Sequence, residues 1–175
     1  VVDGDGKPEA TAFYIHARLH HRLPRARAAF HTHMPYATAL CMTEGEPLAW
    51  AGQTALKFYG RTATDDSYNG LALDETEGDR LAATLGNADV VFLRNHGVIV
   101  TGPTIAEAWD DLYYLERAAE VQVKALSTGR PLRPIDPAIA RIAAAQMREG
   151  DPESARLHLE SVKRLLMRHE PEFAH

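Results

Sequence analysis

Three histidines in two short segments carry the clearest chemical signal in this sequence. His31 and His33 lie two residues apart in FHTHMP, and His96 lies in LRNHG. Residues 26–30 are predicted to form a strand that enters a turn, and side chains two apart on a strand project to the same side. His96 follows a second apolar run, residues 90–93, and strand ends commonly present functional groups. Three neutral imidazoles that converge in this way suit a catalytic divalent metal with an open coordination position.

The same residues also allow an ordinary structural interpretation. The chain contains 9 histidines, so a His-x-His pair can arise by chance. A histidine between asparagine and glycine is also a common turn residue. Taken alone, the spacing therefore leaves two alternatives, a metal site and a set of turn histidines.

The elements that must position these histidines follow from apolar spacing and from capping residues. Strands and helices interleave along the chain, which indicates a layered α/β domain. Residues 48–70 show no single pattern, and the polar run at their end is expected to be a solvated turn. Strands are predicted at residues 26–30, 90–93 and 98–100. Helices are predicted at residues 10–22, 35–42, 75–85 after the cap Asp74, 104 to about 129, and 136–147.

Capping residues are predicted at the start of the longest helix and at the start of the last helix. Thr104 and Glu107 form a capping box that opens the longest helix. Asp151 is predicted to cap the last helix, with a proline in its first turn. The face of the longest helix that is predicted to meet the core consists of Ile105, Ala108, Leu112, Leu115 and Ala119.

The residues around the histidines resemble the class II aldolase/adducin family. The resemblance runs from about residue 1 to about residue 133, and its two histidine segments are specific. The matching segments are FHTHMPYATAL at residues 30–40, VVFLRNHGVIVTGPTIAEAWDDLYYLERA at residues 90–118 and, more loosely, PEATAFYIHARLH at residues 8–20.

This resemblance implies a fold, a cofactor and an assembly. The fold is a three-layer α/β/α single domain with a central mixed, largely antiparallel sheet, covering residues 1–175. The family's metal ligands correspond to His31, His33 and His96. They would hold a divalent metal, with zinc expected first and manganese or iron as alternatives. Family members are commonly tetramers, so a homo-oligomer, and specifically a homotetramer, is expected.

The chemistry implied by the resemblance is cleavage of a carbon–carbon bond next to a carbonyl or hydroxyl group. A divalent cation stabilises the negative charge that develops on that oxygen. The sugar-phosphate aldolases have a catalytic glutamate at the place that Ala12 occupies here, and the nearest carboxylate is Glu9. Glu9 is therefore the candidate proton donor. A decarboxylase-like or other lyase reaction on a small carboxylated or sugar-derived substrate is favoured over sugar-phosphate cleavage.

Further candidates and two other function classes stay open. Arg94, two residues before His96, is a candidate to bind a substrate carboxylate or phosphate. Asp66 and Tyr68 in the polar run are additional active-site candidates. A non-haem Fe(II) oxygenase would use the same three histidines. A non-catalytic, adducin-like assembly module would not need them, so their retention favours an enzyme.

Composition excludes several other classes of function. The length of 175 residues fits one domain, and a net charge of −5 gives no basic footprint for nucleic acid or an anionic membrane. The one cysteine, Cys41, cannot form an internal disulfide and is expected to be buried, as its apolar neighbours indicate. No apolar stretch approaches the ~18 residues of a membrane span. A cytoplasmic protein with a small-molecule substrate is expected.

The start of the chain indicates a missing segment. Val1 and Val2 run directly into the turn sequence Asp3-Gly4-Asp5-Gly6. Two residues make no strand, so a preceding or partner strand is expected to be absent. The domain is therefore expected to lack its N-terminal part, which in the family includes a helix and early strands.

Overall fold

The computed structural model describes residues 6–174, so the predictions for Val1 and Val2 and for most of the turn after them lie outside the described residues. The described helices are α1 Ala10–Arg22, α2 Pro35–Cys41, α3 Glu75–Leu85, α4 Ile105–Leu126, α5 Pro137–Arg148 and α6 Asp151–His169. The strands are β1 Ala28–Thr32, β2 Thr62–Asp65, β3 Val90–Leu93 and β4 Gly97–Gly102. Short 3₁₀ helices lie at Gln53–Phe58 and Pro171–Ala174.

The strands form one mixed sheet in the order β1-β4-β3-β2. β4 pairs antiparallel with both β1 and β3, whereas β2 joins β3 in parallel. Every residue of β3 and β4 is buried, so this part of the sheet is covered on both faces. The predicted mixed, largely antiparallel sheet is confirmed.

Helices cover both faces of the sheet and produce three layers. Because side chains alternate along a strand, β3 and β4 contribute residues to two separate apolar clusters. The cluster under α1 and α3 includes Ile15, Leu19, Leu81, Leu85, Val91 and Ile99. The cluster under α2 and α4 includes Leu40, Phe92, Val98, Val100, Leu115 and Ala119. This arrangement confirms the three-layer α/β/α prediction.

Side-chain caps begin two of the helices where the sequence predicts them. The Asp74 carboxylate accepts a hydrogen bond from the Glu77 amide at 3.1 Å. The Thr104 hydroxyl accepts one from the Glu107 amide at 3.2 Å. These caps satisfy amides that have no partner inside the helix, and they fix where α3 and α4 begin.

Two predictions about helix ends are wrong. Ile105 does not face the core and is 65% exposed, because it is the first residue of α4 and precedes the part that packs on the sheet. Asp151 is not the cap of α6. Gly150 holds that position with a left-handed φ of 81°, and the Asp151 carboxylate binds the buried amine of Lys57 instead.

The expected solvated turn at the end of residues 48–70 also needs correction. Its first residues belong to β2, and Asp65 is only 5% exposed. Arg80 of α3 donates to both carboxylate oxygens of Asp65, at 2.6 and 2.7 Å. This ion pair neutralises the buried carboxylate, and neither the parallel pairing nor the ion pair leaves a local pattern in the sequence.

None of the helices within residues 6–174 combines the length and the apolarity needed to cross a membrane.

Candidate metal centre

The structure brings His31, His33 and His96 together at one end of the sheet. His31 lies on β1 opposite Ile99 of β4, and β1 ends at Thr32, immediately before His33. His96 ends the turn between β3 and β4. The centroids of the three imidazole rings are 5.1, 4.8 and 4.9 Å apart, so they form a nearly equilateral triangle. One nitrogen from each ring lies within 4.8 Å of the other two.

Hydrogen bonding prepares His31 to bind a metal through one defined nitrogen. Its Nδ1 lies 3.1 Å from the carbonyl oxygen of Val98, which requires the tautomer with a proton on Nδ1. The free electron pair is then on Nε2. A carbonyl that holds the other ring nitrogen is the usual partner of a metal-ligating histidine.

Burial keeps two of the rings neutral at pH 7. Desolvation lowers the pKa of His31 to about 4, although the bond to the Val98 carbonyl opposes the shift. Desolvation also lowers the pKa of His96, and the neighbouring His33 contributes in the same direction. Because metals bind the neutral imidazole, these rings are in the form that a metal requires.

The donor set and its exposure fit a divalent metal. His31 and His96 are partly buried, whereas His33 is exposed, so one side of the triangle is open to solvent. Three nitrogen ligands with an open side are typical of a catalytic site, which keeps one position for water or substrate.

Close packing behind the triangle requires a glycine at position 97. A Cβ atom on Gly97 would lie 2.5 Å from the carbonyl oxygen of Thr32 and 2.7 Å from Cδ2 of His33. Asn95 accommodates the turn with a left-handed φ of 57°. The small size of Gly97 and the left-handed backbone of Asn95 therefore allow His96 to lie beside His33.

Cys41 supports the same turn from the α2 side. Its thiol is buried, as predicted, and donates to the carbonyl oxygen of Gly97 at 3.1 Å. Burial raises the pKa of the Cys41 thiol to about 11, so the group stays protonated at neutral pH. This contact gives Cys41 a structural role.

Arg94 uses its guanidinium to hold neighbouring loops. It donates to the carbonyl of Thr43 at 2.6 Å and to the carbonyl of Gly45, and it pairs with Asp66 at 3.1 Å. The role of Arg94 in binding a substrate anion remains a prediction, and a substrate would have to compete with these contacts.

Tyr68, one of the two additional active-site candidates, lies beside the histidine triangle. Its ring centroid is 6.1 Å from that of His96, and the residue is 54% exposed. The carboxylate of Asp66, by contrast, is engaged by Arg94. Tyr68 is therefore the candidate of the polar run whose ring lies next to a histidine ring.

Glu9 caps the first helix. Its Oε2 accepts hydrogen bonds from the Thr11 hydroxyl at 2.6 Å and from the Ala12 amide at 2.8 Å. These bonds lower the pKa of the Glu9 carboxyl, which favours the ionised form. A proton donor at neutral pH needs the opposite shift, so a catalytic role for Glu9 remains a prediction that requires release from the cap.

Sequence reasoning missed one buried carboxylate close to the histidine pair. Glu116 of α4 is only 8% exposed, and its two oxygens accept hydrogen bonds from the amides of Tyr36 and Ala37. A glutamate in the middle of a helix is ordinarily solvated. The only available signal was its position one turn from Leu112 and Ala119, on a face that is otherwise apolar.

Comparisons of the sequence and of the structure with known proteins lead to the same family. Residues 1–123 match the family described as Class II Aldolase and Adducin N-terminal domain. An aldolase II superfamily protein from Pseudomonas syringae has the same fold, with a TM-score of 0.87 and 29% identity, over 97% of this chain and 68% of that one.

Two curated relatives from Streptomyces carry names that describe reactions. Decarboxylase NovR of Streptomyces niveus is 31% identical over 147 residues, which are 83% of this chain and 53% of that protein. A protein of Streptomyces roseochromogenus subsp. oscitans is 32% identical over 83% of this chain and 52% of its own length. It is named 4-hydroxy-3-prenylphenylpyruvate oxygenase/4-hydroxy-3-prenylbenzoate synthase. The chain thus spans about half the length of the curated relatives it matches.

Proposed function

The chain belongs to the class II aldolase and adducin family, and on that basis we propose that it is a divalent-metal-dependent carbon–carbon lyase. The observation that carries the proposal is the triangle formed by His31, His33 and His96, whose ring centroids are 4.8–5.1 Å apart. The substrate is a small molecule with a carbonyl or hydroxyl group next to the bond that breaks.

The three histidines would hold the metal through ring nitrogens. Zinc is the first expectation because neutral imidazoles suit it, and manganese or iron are the alternatives. When bound, the cation would act as a Lewis acid that stabilises negative charge on a substrate oxygen. The protein's own contribution is to fix the rings, with His31 held by Val98, and to leave the His33 side open to substrate.

A carboxylated substrate is favoured by what replaces the aldolase glutamate. Ala12 cannot move a proton, so a reaction that begins by removing a proton lacks its base at this position. In decarboxylation the departing carbon dioxide leaves its electron pair on the substrate, so no base is needed at the start. One relative is named a decarboxylase, which supports this branch of the family.

The substrate must then gain a proton and must be oriented during the reaction. We assign protonation of the product carbon to Glu9 and binding of the substrate anion to Arg94. Both assignments require these side chains to exchange their present partners, the Ala12 amide for Glu9 and the Thr43 carbonyl for Arg94.

A non-haem Fe(II) oxygenase is the second candidate function. It would use the same three histidines, and one relative carries oxygenase in its name. The family description also includes adducin, and an assembly role would not need the histidine triangle.

We further propose that the protein is a cytoplasmic homotetramer without nucleic-acid or membrane partners. Sedimentation velocity of the purified protein tests the oligomeric state.

An activity panel run both with and without oxygen separates these functions. The purified protein is supplied with Zn²⁺, Mn²⁺ or Fe²⁺ and assayed with aromatic hydroxy acids, keto acids and sugar phosphates. The proposal expects release of carbon dioxide from a carboxylated substrate without oxygen. Turnover that requires both Fe²⁺ and oxygen would establish the oxygenase instead. Turnover of a sugar phosphate would contradict the choice of substrate class, and complete inactivity with every metal would favour assembly.

A further inference from the structure

The buried carboxylate of Glu116 caps the N-terminus of α2, the short helix that follows the histidine pair. Oε1 of Glu116 accepts a hydrogen bond from the Tyr36 amide at 3.0 Å, and Oε2 accepts one from the Ala37 amide at 2.9 Å. Within residues 6–174, no lysine, arginine or histidine nitrogen lies within 4 Å of this carboxylate. The two amides are therefore the groups that compensate the burial of its charge.

These two amides are the ones that α2 leaves without a partner. Its first residue, Pro35, has no N–H, and the Thr38 amide already bonds the Met34 carbonyl at 2.8 Å. Met34 precedes the helix and supplies no side-chain cap. Glu116, from a different helix, thus performs the capping that the local sequence lacks.

The contact fixes the backbone on one side of His33. β1 ends at Thr32, so His33 lies beyond the last residue pair that the sheet holds. Only Met34 and Pro35 separate His33 from the amides bound by Glu116. Since proline also restricts its own φ, movement of α2 would be transmitted to His33 through a short and stiff connection.

We infer that Glu116 is a positioning residue of the metal centre, which acts through the backbone of α2 to set the place and direction of His33. The inference rests on the proposed function, because it assumes that the histidine triangle holds a metal. Loss of the contact should change metal affinity in a protein that is still folded. Supporting groups around metal ligands typically contribute about 10–100-fold to metal affinity.

Glu116→Gln removes half of the interaction with little change of volume. The glutamine carbonyl can accept a bond from one amide, but its NH₂ group then faces the other amide, donor against donor. Glu120→Gln is the matched control. It lies one turn later on α4, removes the same charge, and its carboxylate pairs with Arg117 at 2.7 Å and Lys124 at 2.6 Å.

The experiment measures Co²⁺ affinity by competition with a chelator, together with the visible ligand-field bands of bound Co²⁺. Circular dichroism of the metal-free proteins first establishes that each variant is folded at the temperature used. The inference predicts that Glu116→Gln binds Co²⁺ about 10–100-fold more weakly with shifted bands, whereas Glu120→Gln matches the wild type. Glu116→Asp, which keeps the charge on a shorter side chain, should also weaken binding and replaces Glu116→Gln if that variant does not fold.

Two results would overturn the inference alone. Either the Glu116 variants bind Co²⁺ as tightly as the wild type with the same bands, or Glu120→Gln is weakened as much as they are. A wild-type protein that binds no Co²⁺ is a different result, because it overturns the proposed metal centre and the inference with it.

Discussion

Gly97 is a residue whose size limits the packing of the histidine triangle that we propose as a metal centre. A Cβ atom there would come within 2.5 Å of the Thr32 carbonyl oxygen, and this neighbour is backbone that cannot rotate away. Gly97→Ala should therefore push β1 from β4, destabilise the fold by about 1–3 kcal/mol and weaken metal binding. Urea unfolding with a chelator present measures the first effect, and metal titration measures the second.

Gly52 provides the control for this substitution. Its φ of −115° is open to any residue, and a Cβ atom there would meet no described heavy atom within 4 Å. Gly52→Ala should match the wild type in both measurements. Equal stability and metal affinity of Gly97→Ala and Gly52→Ala would show that the packing at position 97 is not limiting.

Glu9 offers a second test at a single residue. Glu9→Gln keeps a side-chain carbonyl that can accept the Ala12 amide, so α1 should remain capped while the ionisable group is lost. If Glu9 is the proton donor, turnover should fall by about 10²–10⁴-fold with unchanged metal content. Turnover close to that of the wild type would leave Glu9 as a helix cap and nothing more.

Local signals in the sequence predict the helices better than the strands. The bounds of α1 and α3 match the sequence prediction because caps and breakers near each end define them. β2 was not predicted because it is stabilised by pairing with β3, a distant part of the chain. The helical spacing places Ala108, Leu115 and Ala119 in the core as predicted. It is wrong for Ile105, because spacing does not indicate where along α4 the contact with the sheet begins.

Two substitutions by alanine on α4 test where this helix contacts the sheet. Leu115 is 0% exposed, so Leu115→Ala should lower the free energy of unfolding by about 2–5 kcal/mol. Ile105→Ala on the exposed first turn should change it by less than about 0.5 kcal/mol. Urea denaturation of both variants measures the difference. Similar costs at the two positions would mean that α4 packs along a different face.

An ion cluster between α1 and α3 gives the fold a pH dependence. Arg22 and Arg18 both donate to Asp79 and hold the pKa of that carboxyl well below its ordinary value of 3.8. A lowered folded-state pKa adds stability that is complete above about pH 4 and is lost as the pH falls through the lowered value. Asp79→Asn should therefore be less stable than the wild type at pH 7, and the difference should shrink below about pH 4.

Thermal unfolding between pH 2 and pH 7 follows this difference directly. High salt should reduce it at pH 7, because the cluster is partly exposed. A difference that persists unchanged at the lowest pH would show that Asp79 stabilises the fold by some means other than its charge.

The three layers of the fold bring together groups that lie far apart in the sequence. The histidines were identified from the sequence because strand alternation and the Asn-His-Gly turn are local patterns. The buried amine of Lys57 was not identified, although it lies 3.1 Å from Asp110 and 3.3 Å from Asp111. Glu116 and Lys57 are charged residues in helices, and only the packed structure shows that their partners are buried with them.

The metal content of the protein is the direct test of the histidine triangle as a metal site. The wild-type chain, purified without chelators, and His33→Ala are compared by elemental analysis, and far-UV circular dichroism checks their helix content. The histidine triangle predicts about one divalent metal per wild-type chain and loss of that metal from His33→Ala, with nearly unchanged helix content. Full metal occupancy in His33→Ala, or a wild-type chain that stays metal-free when supplied with Zn²⁺, Mn²⁺ and Fe²⁺, would contradict the assignment.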